Sequence, residues 1–337
     1  VTTPSLFADL PSELILNILE HAAAASVATA LSLSRVSSWV RSLTEPFLFH
    51  TVVLSTSRAL ASFHAALLAK PPAFAAAHVK HLGILAPGPV ETIDKVLDRC
   101  TSVHSLACGF SLPAYKDLHP TISSSSDEAT PTPAVAEAVP QQRQPLQALH
   151  RAPALKEQHL LALSCRDGWD VSLVSPSVTH LRVHVTSPQR PWFPQVGGNT
   201  TLEASSWDLS YLPALTHLAV VWRPAKGQRV EDVLVPLTRL LGSEPHPTHR
   251  NDHNDEDEDQ HRLSVILIQI LGPRSAQATA VRTLNEAAVR QGGRAVRVVA
   301  EAAPLSAVSQ WEDGVRCGSG TASVWSDAED VVARRLS

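Results

Sequence analysis

Apolar positions in the first fifty residues recur at helical spacing. Leu14, Ile15, Ile18 and Leu19 form one stripe. The run Asp9 to Pro11 just before it reads as a helix start. The Asp9 carboxylate can accept from unpaired first-turn amides, and Pro11 gives up a donor that turn could not use. After the alanine-rich spacer AAAASVATA, the residues Leu31, Leu33, Val36, Trp39, Val40 and Leu43 spread over a broad apolar face, with Arg35 and Arg41 among the polar positions. Pro46 is expected to interrupt that pattern, and Phe47 to Leu54 to turn extended. These segments predict a compact three-helix unit. Residues 58 to 69 then place Leu60, Phe63, Leu67 and Leu68 on one side of a helix that Pro71 and Pro72 end.

Beyond residue 78 the pattern changes to short strand-like segments with a shared core of apolar, x, polar, Leu, x, apolar. They are VKHLGI at 79 to 84, VHSLAC at 103 to 108, LLALSC at 160 to 165, VTHLRV at 178 to 183 and LTHLAV at 215 to 220. Between the first two, VETIDKVLDRC turns Val90, Ile93 and Leu97 to one helical face. Later units keep the order of helix then strand: VEDVLVPLTRLL before SVILIQIL, and ATAVRTLNEAAV before AVRVVAE. Such alternation predicts a parallel sheet. Stacked units would bury their faces on their neighbours in a curved solenoid. From Leu82 to Leu106 is 24 residues, within the roughly 20 to 29 residue period of leucine-rich repeats. Other spacings are irregular, so residues 79–301 read as a degenerate leucine-rich-repeat-like array. An ordinary open α/β sheet is the alternative.

Two segments carry no apolar periodicity and are expected as disordered insertions: 119–145, rich in Ser, Pro and Thr, and 246–261, an acidic run flanked by histidines. His246, His249, His253 and His261 lack zinc-finger spacing, so a metal site is not expected there. The organisation is then 1–56 as a helical domain, 57–78 as a linker helix, 79–301 as the array and 302–337 as a C-terminal cap with a helix. The fold class is α+β or α/β.

The N-terminal segments LPSELILNILEH at 10 to 21 and LSLSRVSSWVRSLTEPFLFHTVVL at 31 to 54 resemble an F-box of the type found in fungal proteins. The likeness lies in the Leu-Pro-x-Glu-Leu opening, a second helix carrying Trp39, and the Pro-Phe-Leu-Phe exit into Val-Val-Leu. The resemblance implies docking onto a Skp-type adaptor of a cullin–RING ubiquitin ligase. Adaptor contact would fall to Leu10, Pro11, Leu14, Ile18, Leu19, Leu31, Val36 and Trp39. A unit of this size cannot bury two apolar faces internally, and an exposed apolar patch marks a partner.

Composition narrows the rest. The 337 residues and 36.2 kDa suit a small domain attached to a large one. The net charge of -4 and pI of about 6.5 offer no basic field for nucleic acid or an anionic membrane. Cys100, Cys108, Cys165 and Cys317 are scattered without a Cys-x-x-Cys pair, as expected of reduced thiols in the cytoplasm or nucleus. No apolar run is long enough to span a bilayer. No nucleophile elbow, P-loop, dinucleotide-binding fingerprint or His-Glu-x-x-His helix is present, and CGSG at 317 to 320 reads as a turn. No catalytic residue, cofactor or metal is therefore expected. His81, His180 and His217 each precede the Leu of a strand, which suggests a structural role along the array. The expected function is substrate recruitment to a ubiquitin ligase, with an unidentified protein substrate on the array. The rival is a repeat scaffold, unattached to a ligase, that keeps the helices as a cap; an α/β enzyme is a third reading with no site.

Overall fold

The computed structural model describes residues 10–86, 88–109, 154–161, 174–185, 209, 212–241, 263–316 and 324–337. Three helices open it: α1 (Ser12–Ala25), α2 (Val27–Leu33) and α3 (Ser38–His50). The alanine-rich spacer is thus helical almost throughout. It is broken only at Ser26, whose extended backbone lets its hydroxyl accept from the Ala28 amide. Ser37 starts α3 in the same way, accepting from the Val40 amide at 3.2 Å.

Helix α3 does not end at Pro46, as expected, but runs on to His50. Proline removes one intrahelical bond, and aromatic packing in the next turn compensates for it. The Phe49 ring meets Phe74 edge-on at 5.0 Å and approaches Phe63 at 6.3 Å. Only Thr51 to Leu54 are extended, as β1 (Thr51–Leu54). The linker is two helices, α4 (Ser57–Ala69) and α5 (Pro72–His78), because Pro72 both stops the first and suits the opening turn of the second. Lys70 bonds both oxygens of Glu45 at 2.7 Å, tying this pair to α3.

Eight strands form one parallel sheet in strict chain order: β1, β2 (His81–Ile84), β3 (Ser105–Cys108), β4 (Glu157–Leu160), β5 (His180–Val185), β6 (His217–Trp222), β7 (Val265–Ile270) and β8 (Val298–Ala302). A doubly wound sheet reverses its strand order at a switch point; this one does not. The crossover helices among the described residues lie on one side: α4 and α5 between β1 and β2, α6 (Val90–Arg99) between β2 and β3, α7 (Leu234–Leu240) between β6 and β7, and α8 (Arg274–Gln291) between β7 and β8. That side is apolar in register: Leu82, Leu106, Leu181, Leu218 and Ile266 align strand by strand and pack on Leu60, Ile93, Leu237 and Leu284 of the helices. The two insertions lie outside the described residues.

Strand β4 is not the predicted LLALSC segment but Glu157 to Leu160, three residues earlier. Gln158 stands at the leucine position of its neighbours, fully buried, and its amide oxygen accepts from the Ser175 backbone at 3.3 Å. A hydrogen-bonded glutamine at a core position hides the strand from any search for apolar alternation.

The last two helices, α9 (Ala307–Arg316) and α10 (Val324–Leu336), leave the end of the array and lie on the opposite face of the sheet. Trp325, Ala328 and Val332 of α10 pack on Ala219, Leu267 and Val299. Trp311 of α9 reaches back to β3, its indole donating to the Ser105 hydroxyl at 2.8 Å. Residues 302–337 therefore cover a face of the sheet as well as following its final unit. Edge strand β8 is closed by side chains: Asn285 of α8 bonds both the amide and the carbonyl of Ala300 at 2.9 Å, and Arg335 donates to the carbonyls of Val296 and Val298.

Candidate functional site

Helices α1 to α3 pack on one another through very small side chains. Among residues 10–50 the buried ones are Ala23, Ala30, Val40 and Thr44, the last with its hydroxyl bonded to the Val40 carbonyl at 3.0 Å. Contacts through such small residues bring helix backbones close and leave little internal space for long apolar chains. The large apolar side chains consequently point outward. Of the twelve large hydrophobic residues exposed among the described residues, seven belong to this unit: Leu10, Leu14, Ile18, Val27, Leu31, Val36 and Trp39.

The single stripe expected on α1 is in fact two. Leu14 and Ile18, one turn apart, are 48% and 49% exposed. Ile15 and Leu19, also one turn apart, are half-buried against the neighbouring helices. Leu19 thus serves the unit's own packing as much as its surface. Leu10 and Pro11 are exposed at the start of α1, where the Pro11 carbonyl accepts from the amides of Leu14 and Ile15. Asp9 and its expected capping bond lie outside the described residues.

On the second side of the surface Leu31 ends the exposed edge of α2, and Val36 and Trp39 flank the turn into α3 at 70% and 53% exposure. Arg41 fastens this turn by donating from Nε to the Ser34 carbonyl at 3.2 Å. Val27 joins the exposed set without having been singled out in the sequence. Its place at the first residue of α2 became visible only once Ser26 was seen to cap that helix. Seven of the eight sequence-selected residues are exposed here, and Leu19 is the exception.

The face of the sheet beneath α9 and α10 has a different character. Its first row runs Thr51, His81, Ser105, Glu157, His180, His217 and Val265, adjacent residues being in register. His180 and His217 stack with ring centroids 4.2 Å apart and 10° between their planes. The preceding threonines hold them: Thr179 and Thr216 lie 2.8 Å from the respective Nδ1 atoms and donate to the carbonyls of Lys156 and Thr179, each just ahead of the neighbouring strand. His217 Nε2 meets Glu329 of α10 at 2.9 Å. For His180 and His217 the structural role expected along the array takes this form, whereas His81 Nδ1 is buried without a hydrogen-bond partner.

Burial pushes His81 and His180 down to about 4, in each case helped by a neighbouring histidine, His50 and His217 respectively. Burial pushes the Glu157 carboxyl up, but the His159 imidazole and hydrogen bonds from Trp325 and Ser105 outweigh it and hold the group well below the usual carboxylate range. Cys100 and Cys108 are both buried, and burial pushes the Cys100 thiol up to about 12. Sequence reasoning missed Glu157, Arg182, Trp311 and Trp325. The visible signal was a charged residue at an alternating position of VTHLRV, together with a tryptophan on each of the last two helices.

No cluster of three or more metal-ligating side chains occurs among the described residues. No described helix is long and apolar enough to cross a membrane. No protein-family model matches the chain, and no curated protein matches it.

Proposed function

We propose that the protein is a substrate-recruiting F-box subunit of a cullin–RING ubiquitin ligase, with a Skp-type adaptor docking on the N-terminal helices. The supporting observation is that Leu10, Leu14, Ile18, Leu31, Val36 and Trp39 are exposed on a unit whose own buried residues are the small Ala23, Ala30, Val40 and Thr44. Burying an aliphatic side chain of this size contributes about 1.5 to 3 kcal/mol, and Trp39 adds a large rigid surface. Pro11 stiffens the entry to the surface, and Leu19 supports it from behind.

The array supplies the other half of the reading. It is leucine-rich-repeat-like in its chain-order parallel strands, and a protein substrate would bind on its outer loops and edges while transfer of ubiquitin occurs elsewhere in the assembly. The residues singled out here act by binding, in the cytoplasm or nucleus, without nucleic acid or membrane. The second reading, a scaffold outside any ligase, draws on the contact of α3 with β1 and α5, by which the helical unit covers the first edge of the array. That reading leaves the exposed apolar residues without a role.

Titration of the full chain with a purified Skp-type adaptor separates the two. A one-to-one complex that Ile18→Asp abolishes supports the ligase reading; a folded chain that forms no complex at micromolar adaptor supports the scaffold.

A further inference from the structure

Between α9, α10 and strands β3 to β5 lies a cavity of about 280 Å³, lined among others by Ser105, Glu157, His180, Arg182, Trp311 and Trp325. Arg182 stands on the second row of the covered face, between His159 and Ala219, and is only 1% exposed. Its Nη1 donates to the neutral Oε1 of Gln310 at 3.0 Å, and its Nε has no hydrogen-bond partner. No carboxylate lies within 4.0 Å of it among the described residues. The two nearest acids are engaged elsewhere, Glu157 by the Trp325 indole at 2.6 Å and Glu301 by the Gln269 amide at 2.6 Å.

A buried guanidinium without an ion pair is a costly arrangement, because its lost hydration is not replaced. Arginine cannot escape the cost by losing its proton at neutral pH. An apolar side chain in its place would have been cheaper, so its presence calls for a partner. The wall opposite is also kept open. Gly314 lines the cavity inside α9, and a Cβ there would meet nothing within 4 Å, although glycine inside a helix costs about 1 kcal/mol relative to alanine.

We propose that this cavity binds a small organic monoanion, a carboxylate on a flat apolar body, with the carboxylate on Arg182 and the body against the indoles of Trp311 and Trp325. The fork of guanidinium donors matches two carboxylate oxygens, and the indoles supply flat apolar area. Glu157 and Glu301 stand close enough to act on the charge of Arg182, so a doubly charged group such as phosphate is disfavoured. Binding here is separate from adaptor docking, since no residue is shared between the two sites.

The test uses the full chain with its tryptophans labelled with ¹⁵N, titrated in turn with sodium benzoate and with inorganic phosphate at matched ionic strength. Benzoate should shift the indole N–H resonances of Trp311 and Trp325 saturably at millimolar concentration, the two being identified through Trp311→Phe and Trp325→Phe; phosphate should leave them in place. Arg182→Gln should weaken benzoate at least tenfold. Gln310→Glu places a carboxylate where the neutral acceptor now sits, and should raise Tm while abolishing the benzoate response; it decides the matter even if Arg182→Gln fails to fold. Resonances unmoved by benzoate, a response to phosphate alone, or undiminished benzoate binding in Gln310→Glu would each overturn the proposal.

Discussion

The N-terminal helices and the sheet array solve opposite problems with similar residues. In the array, leucines and isoleucines align strand after strand and disappear beneath the crossover helices, while His159, Arg182 and Gln269 are buried on the other face under α9 and α10. In the helices, Ala23, Ala30, Val40 and Thr44 are inside, and Leu10, Leu14, Ile18, Leu31 and Trp39 are outside. Burial is what folding rewards, so an apolar residue kept in water across a whole surface has its use outside the fold. The array buries its large apolar side chains within itself, and on the proposed reading those of the helical unit are buried against a partner.

That contrast can be broken most forcefully by truncation. Leu82→Ala or Leu181→Ala should cost about 2 to 5 kcal/mol, because each removes atoms from a packed core and leaves a cavity. Leu14→Ala and Val36→Ala should stay within about 0.5 kcal/mol, as exposed substitutions do. Urea denaturation of the four variants checks this, and equal losses in the two regions would erase the distinction.

Smaller effects sharpen the account of the covered face. Gly83 lies under Trp311, whose ring would stand 2.9 Å from an added Cβ. Gly83→Val should therefore lift the indole from Ser105 and cost about 1 to 3 kcal/mol by overpacking, read as a fall in Tm and a change in near-ultraviolet circular dichroism. Trp325→Phe keeps the ring but removes the donor to Glu157, and should cost about 1 to 3 kcal/mol for a buried acceptor left short of a partner.

The pH dependence follows from the same face. His81 and His180 are pushed down to about 4 by burial, so the unfolded chain takes up protons near pH 6.5 while the folded chain resists. Stability should fall as pH drops from about 6.5 toward 4. Glu157, held below its ordinary range, adds loss in the same direction once pH falls below its unfolded value. Thermal melts between pH 7.5 and 4 should show a declining Tm, and the decline should be shallower in His180→Asn. A flat profile would contradict the buried histidine row.

Much of this was legible in the sequence. The strands at 81 to 84, 105 to 108, 180 to 185, 217 to 222, 265 to 270 and 298 to 302 all fall on or beside predicted segments, because alternation of Leu and polar residues reports which side of a strand is buried. Strand β4 escaped because Gln158 occupies a core position through a hydrogen bond, which no hydropathy pattern encodes. The path of α3 through Pro46 escaped because it depends on Phe49 meeting residues of α4 and α5, a tertiary effect that overrides local propensity. On α1, helical spacing identified four apolar positions but could not divide Leu14 and Ile18 from Ile15 and Leu19, since the division is set by where α2 and α3 stand. The pairing of Arg182 with Gln310 joins residues 128 positions apart, a distance at which pattern carries no information.

The central claim is that the exposed apolar residues of α1 to α3 form a docking surface for a Skp-type adaptor. Isothermal titration of the full chain with that adaptor, alongside Leu14→Asp, tests it most directly. The expected result is a one-to-one complex of micromolar affinity or better, weakened at least about 100-fold, or about 2.7 kcal/mol, by the substitution, with the melting temperature of the free chain unchanged because Leu14 is already in water. Absence of a complex with the folded chain, or a variant within about twofold of the parent affinity, would contradict it.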